Sequence, residues 1–464
     1  MSMVMWLLLW ACSNEGTPAD PGAASGEAQH DPGKHKAGSK GPPHGQPGAG
    51  VGGFDGGPMG GQGGGSGAAL QDPCGFPAFH DQQAPQGPAI TQAGDWSAPV
   101  SLSPTQGGGY RPQITVGADD RLHAVYYERL DAGDLIRHRV SDGSGWGEPA
   151  HVGFRKNRNW GPDIVARDDG SLVMVFDYAL EDFSSQGYLT EWTDDGGWSE
   201  PEALTQGNSG ATKVEVGSGH VANANGGDLA YVWIGKTMSE TSKFKASWRW
   251  RVDGDWSDPV AFSDGSSDAW HTNVERRPDG SVLVGFDIGT GGGETQLHIA
   301  EGRDGSFSAL ENLSDDAGDK PGERPHFAFG ADGVDHITWF HKVEKLPQHI
   351  YVRSGIPGDW GAIEEPSAGY GGFHFDPEIA INEAGTRVLI WGWDAGPNQE
   401  AEMVYSVSHP DQPWTAPMRI ASINWGKPGL SSIDVDSEGN FHVAWNQGVR
   451  CDNRVYYAKL VVDK

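Results

Sequence analysis

One short phrase recurs along the chain and restricts what it can fold into. A polar turn leads to an aromatic residue, then to Ser or another small residue, and in most copies to Pro. The first copy reads Gly94-Asp95-Trp96-Ser97-Ala98-Pro99, and its aromatic returns as Trp146, Trp198, Trp256, Phe307, Trp360 and Trp414. The Pro recurs as Pro149, Pro201, Pro259 and Pro417. Successive aromatics lie roughly 50 to 58 residues apart, a period that belongs to propellers and repeat arrays.

Between the phrases the same order of signals returns. A first strand of alternating polarity is expected at Arg111–Val116, Gly161–Ala166, Ala211–Val216, His271–Arg276, Arg324–Phe329, Asp376–Ile381 and Leu430–Val435. A tight turn follows, such as Asp169-Gly170, Asn225-Gly226 or Asp279-Gly280, the pairs that supply left-handed hairpin conformations. A more apolar second strand ends on Tyr126, Phe176, Trp233, Phe286, Trp339, Trp391 or Trp445. A third strand follows, and the aromatic phrase supplies the fourth. Four short antiparallel strands per repeat describe a propeller blade. The fold class is therefore all-β, a seven-bladed β-propeller of four-stranded antiparallel blades.

Phrases and first strands are out of step. The chain opens on an unpaired phrase at Trp96 and ends after a third strand, Val455–Lys459, with no phrase behind it. The first phrase should be the fourth strand of the last blade, so that strands from both ends close the ring and remove its open edge.

Ahead of the repeats the composition changes. Residues 13–70 are Gly, Pro, Ala, Ser, Gln and His with few large apolar side chains, and are expected to form a disordered tether. Before them Val4–Ala11 is apolar but too short to cross a bilayer. Leu9-Trp10-Ala11-Cys12 resembles the lipobox of bacterial lipoprotein signal peptides. That resemblance implies a signal peptide over residues 1–12, lipidation of Cys12, export, and an anchor in the bacterial envelope at the outer membrane or cell surface. Membrane contact would then run only through the lipid, and the propeller domain occupies residues 71–464. Two further cysteines, Cys74 and Cys451, lie near the two ends of the ring, where an exported protein permits a disulfide. The net charge of -30 opposes nucleic acid as a partner.

The turns before the aromatics, as in Thr193-Asp194-Asp195-Gly196-Gly197-Trp198 and Ser141-Asp142-Gly143-Ser144-Gly145-Trp146, resemble the Asp-box of bacterial neuraminidase repeats. With the Pro-x-Ile-x-Val strands, the domain resembles the sialidase-like propeller superfamily. That superfamily holds sialidases, other glycosidases, polysaccharide lyases and sugar-binding lectins. Arg111 in Tyr110-Arg111-Pro112 and Arg324 in Arg324-Pro325 match the form of its carboxylate-gripping arginines, but no Tyr–Glu nucleophile pair can be assigned. Sialidase activity does not follow.

First strands begin and second strands end on one rim. It collects Arg111, Trp160, Trp270, Arg324, His374 and Asp376 from strand starts, and Glu128, His341, Trp393 and Asp394 from strand ends. Two residues into the first strands, Asp163, Lys213 and His326 are expected to face the axial channel. Aromatic faces with carboxylates, His and Arg suit a carbohydrate. Asp177 with Asp287 could supply glycosidic acid–base chemistry, and Tyr178 with His271 an elimination on a uronate. Rim residues differ between repeats, which favours one central site over a multivalent lectin. The expected function is a surface-tethered monomer binding a carbohydrate or glycoconjugate at that site. A glycoside hydrolase or lyase acting there is the alternative, and a protein-binding or structural envelope lipoprotein the next. Spacing indicates neither a metal centre nor a cofactor.

Overall fold

The structure, a computed structural model, describes residues 90–462 apart from short internal stretches. Cys12, the tether, Cys74, Cys451 and Lys213 lie outside the described residues. The described chain forms seven antiparallel sheets arranged as the blades of a propeller. Blade 1 shows the plan, with Gly108–Val116, Leu122–Leu130, Gly133–Ser141 and Ala150–Val152 laid side by side in chain order. Innermost strands of the next six blades are Asn159–Ala166, Val214–Asn223, Ala269–Arg276, Glu323–Phe329, Phe373–Ile381 and Lys427–Val435.

Seven apolar clusters hold the ring, each bridging adjacent blades. The aromatics that end the second strands supply much of this core, and Tyr126, Phe176, Phe286, Trp339, Trp391 and Trp445 are fully buried. Burial of these large faces between sheets is the main favourable term holding blade to blade.

The repeated Ser has a definite task. The fourth strands are short, so side chains complete their pairing with the third strands. Ser199 Oγ accepts the Glu191 amide at 3.0 Å, Ser257 Oγ that of Trp250 at 3.1 Å, and Ser308 Oγ that of Glu301 at 3.0 Å. Thr415 takes the same place against Val407 at 3.0 Å. These edge amides are exposed or only partly buried, so each such bond adds about 0.5–1.5 kcal/mol and fixes the register of a short outer strand.

The ring closes as the unpaired phrase requires. Val100–Ser101 pairs antiparallel with Asp452–Leu460 in the last blade, and Trp96 bridges Leu460. The N-terminal segment also does more than the phrase implies. Thr91–Gln92 adds a parallel strand to Met418–Arg419 at the outer edge of blade 6. Ile90, Trp96 and Leu102 then enter three successive inter-blade clusters, between blades 5 and 6, 6 and 7, and 7 and 1.

Blade 3 corrects one expectation. Its innermost strand is Val214–Asn223 and not Ala211–Val216. Gly217 and Gly219 interrupt the alternation there, which moves the apparent strand too far upstream. The residue opposite Val232, in register with Gln113 and Asp163, is His220 rather than Lys213.

Blade 1 carries a buried histidine pair that faces Trp198 of blade 2. The Trp198 indole N–H donates to His138 Nδ1 at 3.2 Å, which leaves the His138 Nε2 hydrogen facing His123 Nδ1 at 3.1 Å. Both rings are therefore built in as neutral imidazoles. Burial lowers His123 to about 4 and His138 to about 3. Both titrate near 6.5 when unfolded, so below that pH the unfolded chain binds more protons and the fold loses stability progressively. Thermal melts between pH 7.5 and 4.5 should show this loss, and His138→Gln should lose less per pH unit than the parent. Parallel pH profiles would refute the assignment.

Candidate active and binding site at the rim

Every innermost strand carries the same irregularity near its start. Pairing with the second strand skips two residues, between Tyr110 and Gln113, Trp160 and Asp163, Gly217 and His220, and likewise in the other four blades. In five blades the first skipped residue has left-handed backbone: Arg111 (φ 47°), Gly161 (φ 59°), His271 (φ 44°), Arg324 (φ 58°) and Asp376 (φ 51°). Glycine adopts this conformation freely, whereas Arg, His and Asp there cost of order 1 kcal/mol or more each. Four strained polar residues in one register position, each different from its neighbour in the ring, mark this layer as the candidate site.

The bulges bring their side chains together with the residue after each second-strand aromatic. Arg324 Nη1 meets Asp376 Oδ1 at 2.9 Å, both buried. His271 Nδ1 lies 2.9 Å from Asp287 Oδ1, the same oxygen that accepts the Arg324 amide at 3.4 Å. The Arg111 amide donates to Asn446 Oδ1 of the neighbouring blade at 3.3 Å. A Cβ added at Gly161 would lie 3.2 Å from Arg111 Nη1 and 3.4 Å from Asp177 Oδ2, so glycine is what lets these two charged groups approach over the strand.

Electrostatics follow from burial in this cluster. Asp287 is wholly buried, and burial lifts its carboxyl to about 7 although the Arg324 amide and Lys342 oppose the shift. Burial, reinforced by Arg324, holds His271 well below its ordinary value and therefore neutral. Arg111 is lowered by burial and by Arg324, while Tyr127, Asp177 and Asp376 act the other way. Two guanidiniums, an imidazole and three carboxylates thus form one interacting group.

Of the expected site residues, Arg111, Asp177, His271, Asp287, Arg324 and Asp376 converge here. Others have different surroundings. Tyr178 sits one residue along from Asp177 and packs on Phe154, with ring centroids 4.5 Å apart. Glu128 pairs with Arg137 at 2.7 Å, and Asp394 with Lys427 at 2.8 Å. Trp393 is buried, its indole N–H donating to the Gly371 carbonyl at 2.8 Å. His374 accepts the Trp391 indole N–H at 2.9 Å, and His341 stacks near His349 and Tyr351. Trp270 packs on Phe244. Trp160 pairs with Asp177 in the sheet register, and its side chain is outside the described set. Among the described residues no group of three or more His, Cys, Asp or Glu could hold a metal ion. Tyr127 was not expected in the site. It occupies in blade 1 the position that Asp177, Asp287 and Asn446 occupy in theirs, and that shared position was the available signal.

Asp163 and His326 lie one layer down, in the axial channel, a cavity of about 1070 Å³. Several of its polar residues are engaged in joining blades. Asp163 Oδ2 accepts the Val221 amide at 2.9 Å, Ser432 Oγ that of Ile114 at 3.1 Å, and Asp434 Oδ2 that of Val116 at 2.8 Å. His326 lies 2.9 Å from the Asn273 amide group and 3.6 Å from Glu378. Adjacent innermost strands belong to separate sheets, and these side chains link one to the next.

No family model and no curated protein sequence matches this chain. Solved structures do. A crystal structure of a protein of unknown function from Dyadobacter fermentans DSM 18053 is 14% identical over 80% of this chain and 100% of that one, with a TM-score of 0.50. An α-L-arabinanase of Penicillium chrysogenum, complexed with arabinobiose, is 13% identical over 81% of this chain and 98% of that one, at TM-score 0.45. The Trypanosoma rangeli sialidase is 12% identical over 77% of this chain and 55% of that one, at TM-score 0.43. At such identities the likeness is one of fold, and function rests on the site.

Proposed function

We propose that this protein binds a carbohydrate in the central rim pocket, and that Arg111 and Arg324 direct it toward a sugar bearing a carboxylate. The observation that carries the reading is the layer of four strained polar residues at one register position, gathered around a single asymmetric cluster. Guanidiniums match carboxylates in geometry and charge, and a desolvated site strengthens the match. On the same proposal the chain is exported and lipidated at Cys12, with Cys74 and Cys451 bridged across the ring closure. The full chain on a glycan array should capture acidic glycans, and Arg111→Ala should weaken capture roughly 30-fold or more. Absence of any captured glycan would overturn the reading.

A second reading, turnover at the same pocket, is favoured by the His271–Asp287 pair. With Asp287 ionised, His271 donates Nδ1–H to it and keeps Nε2 as a base. That nitrogen can take the proton α to a uronate carboxylate while a guanidinium holds the carboxylate. The electron pair forms the ring double bond and expels the β-linked oxygen, which recovers a proton from the imidazolium. No water is consumed.

A further inference from the structure

The pocket does not stand alone on its rim. Two partly buried aromatic platforms flank it, and each is joined through the chain to a pocket residue. In blade 2, Tyr178 follows Asp177 and forms a three-ring cluster with Phe154 and Tyr188, with centroids 4.5 and 4.9 Å from Phe154. Asn159 fixes this platform, since its side-chain amide donates to the Phe154 carbonyl at 2.8 Å and to the Asp134 carbonyl at 2.9 Å. Between blades 3 and 4, Trp270 precedes His271 and meets Phe244 at 5.1 Å. Lys236 Nζ stands 4.4 Å from the Phe244 centroid, and the Phe244 amide donates to Asp268 at 2.9 Å. Core aromatics of this ring are fully buried, but Phe154, Tyr178, Tyr188, Phe244 and Trp270 each keep part of their surface in solvent.

A single sugar in the pocket would leave both platforms unused. Flat aromatic faces beside hydroxyl and ammonium groups suit the CH-rich faces of sugar rings. We propose that the ligand is an extended glycan of at least about three units, one sugar in the pocket and flanking units on the Phe154–Tyr178 and Phe244–Trp270 platforms. This rests on the carbohydrate reading of the pocket and adds the length of the ligand and its path across the rim.

The test uses the full chain against oligogalacturonides, oligoalginates, and chito-, xylo- and arabino-oligosaccharides, each graded from monomer to hexamer. Affinity in the bound series should climb by roughly tenfold or more up to the trimer and then level off. Phe154→Leu and Phe244→Leu keep apolar volume but remove a flat face. Each should lower the hexamer-to-monomer affinity ratio roughly three- to tenfold, with thermal melts confirming the fold. Should either variant fail to fold, the parent's own length dependence decides. Equal affinity for monomer and hexamer, or variants with the parent's ratio, would overturn the extended ligand and leave the pocket reading standing. Binding to no oligosaccharide of any length would remove the pocket reading as well.

Discussion

Trp96→Ala should destabilise the propeller by about 3–5 kcal/mol, more than the same change at any other copy of the phrase. Six phrase aromatics, Trp146, Trp198, Trp256, Phe307, Trp360 and Trp414, are only partly buried, whereas Trp96 is 9% exposed and belongs to the core. Its ring meets Tyr405 edge to face at 5.2 Å and belongs to one cluster with Val388, Ile390, Phe441 and Leu460, so it takes part in the core shared by blades 6 and 7. It is also anchored by chain pairing. The Ser97 amide donates to the Lys459 carbonyl at 2.8 Å, and the Lys459 amide to Ser97 Oγ at 2.9 Å. Ala at this position leaves a cavity in the one blade built from both chain ends, where the closing strand is not joined to its neighbour by a hairpin. Denaturant unfolding of Trp96→Ala beside Trp198→Ala and Trp256→Ala provides the measurement. Equal losses in all three would show that ring closure does not depend on this side chain.

The same contrast explains how much of the molecule was legible beforehand. Blades could be read because alternation, Asp-Gly turns and the aromatic phrase are local signals that survive in nearly every repeat. They fail where glycine interrupts the alternation, as at Gly217 and Gly219, and there His220 went unrecognised. The rim was legible as a set of strand ends, but its geometry was not. A two-residue skip in register depends on the partner strand, and Arg111, His271, Arg324 and Asp376 carry no mark of left-handed backbone. Only Gly161 does. Strand periodicity separates Asp177, in the cluster, from Tyr178, on the aromatic platform, although the two are adjacent. The charged residues of the channel were visible as a polar ring, yet their hydrogen bonds to the next blade's amides are long-range facts that no local pattern contains.

Asp287→Asn should stabilise the protein at alkaline pH and, if the pocket turns over its ligand, abolish turnover. The gain in stability needs no ligand. Asp287 is wholly buried and its carboxyl is raised to about 7, from an ordinary value of 3.8. A raised folded-state value means that the protonated form is the one the fold favours. Its contribution is fully present below about pH 4 and is lost as pH rises toward 7, at about 1.4 kcal/mol per unit. Asn is neutral throughout, so the difference between variant and parent should grow across that window to roughly 4 kcal/mol and then stay constant. A pH-independent difference in unfolding free energy would show that Asp287 does not carry the shifted proton. The functional effect has the opposite sign. His271 offers Nε2 as a base only when its Nδ1–H is held by an ionised Asp287, so any turnover should rise with pH through about 7. Asn cannot stabilise the imidazolium formed in the reaction, and comparable changes in His–Asp pairs lower rates by about 10⁴. Acidic glycan should still bind, because Arg111 and Arg324 are unchanged. A variant that is stabilised and binds but does not turn over would show that the fold tolerates strain and a buried charge at this rim for the sake of chemistry. Undiminished turnover in Asp287→Asn would remove His271 as the base.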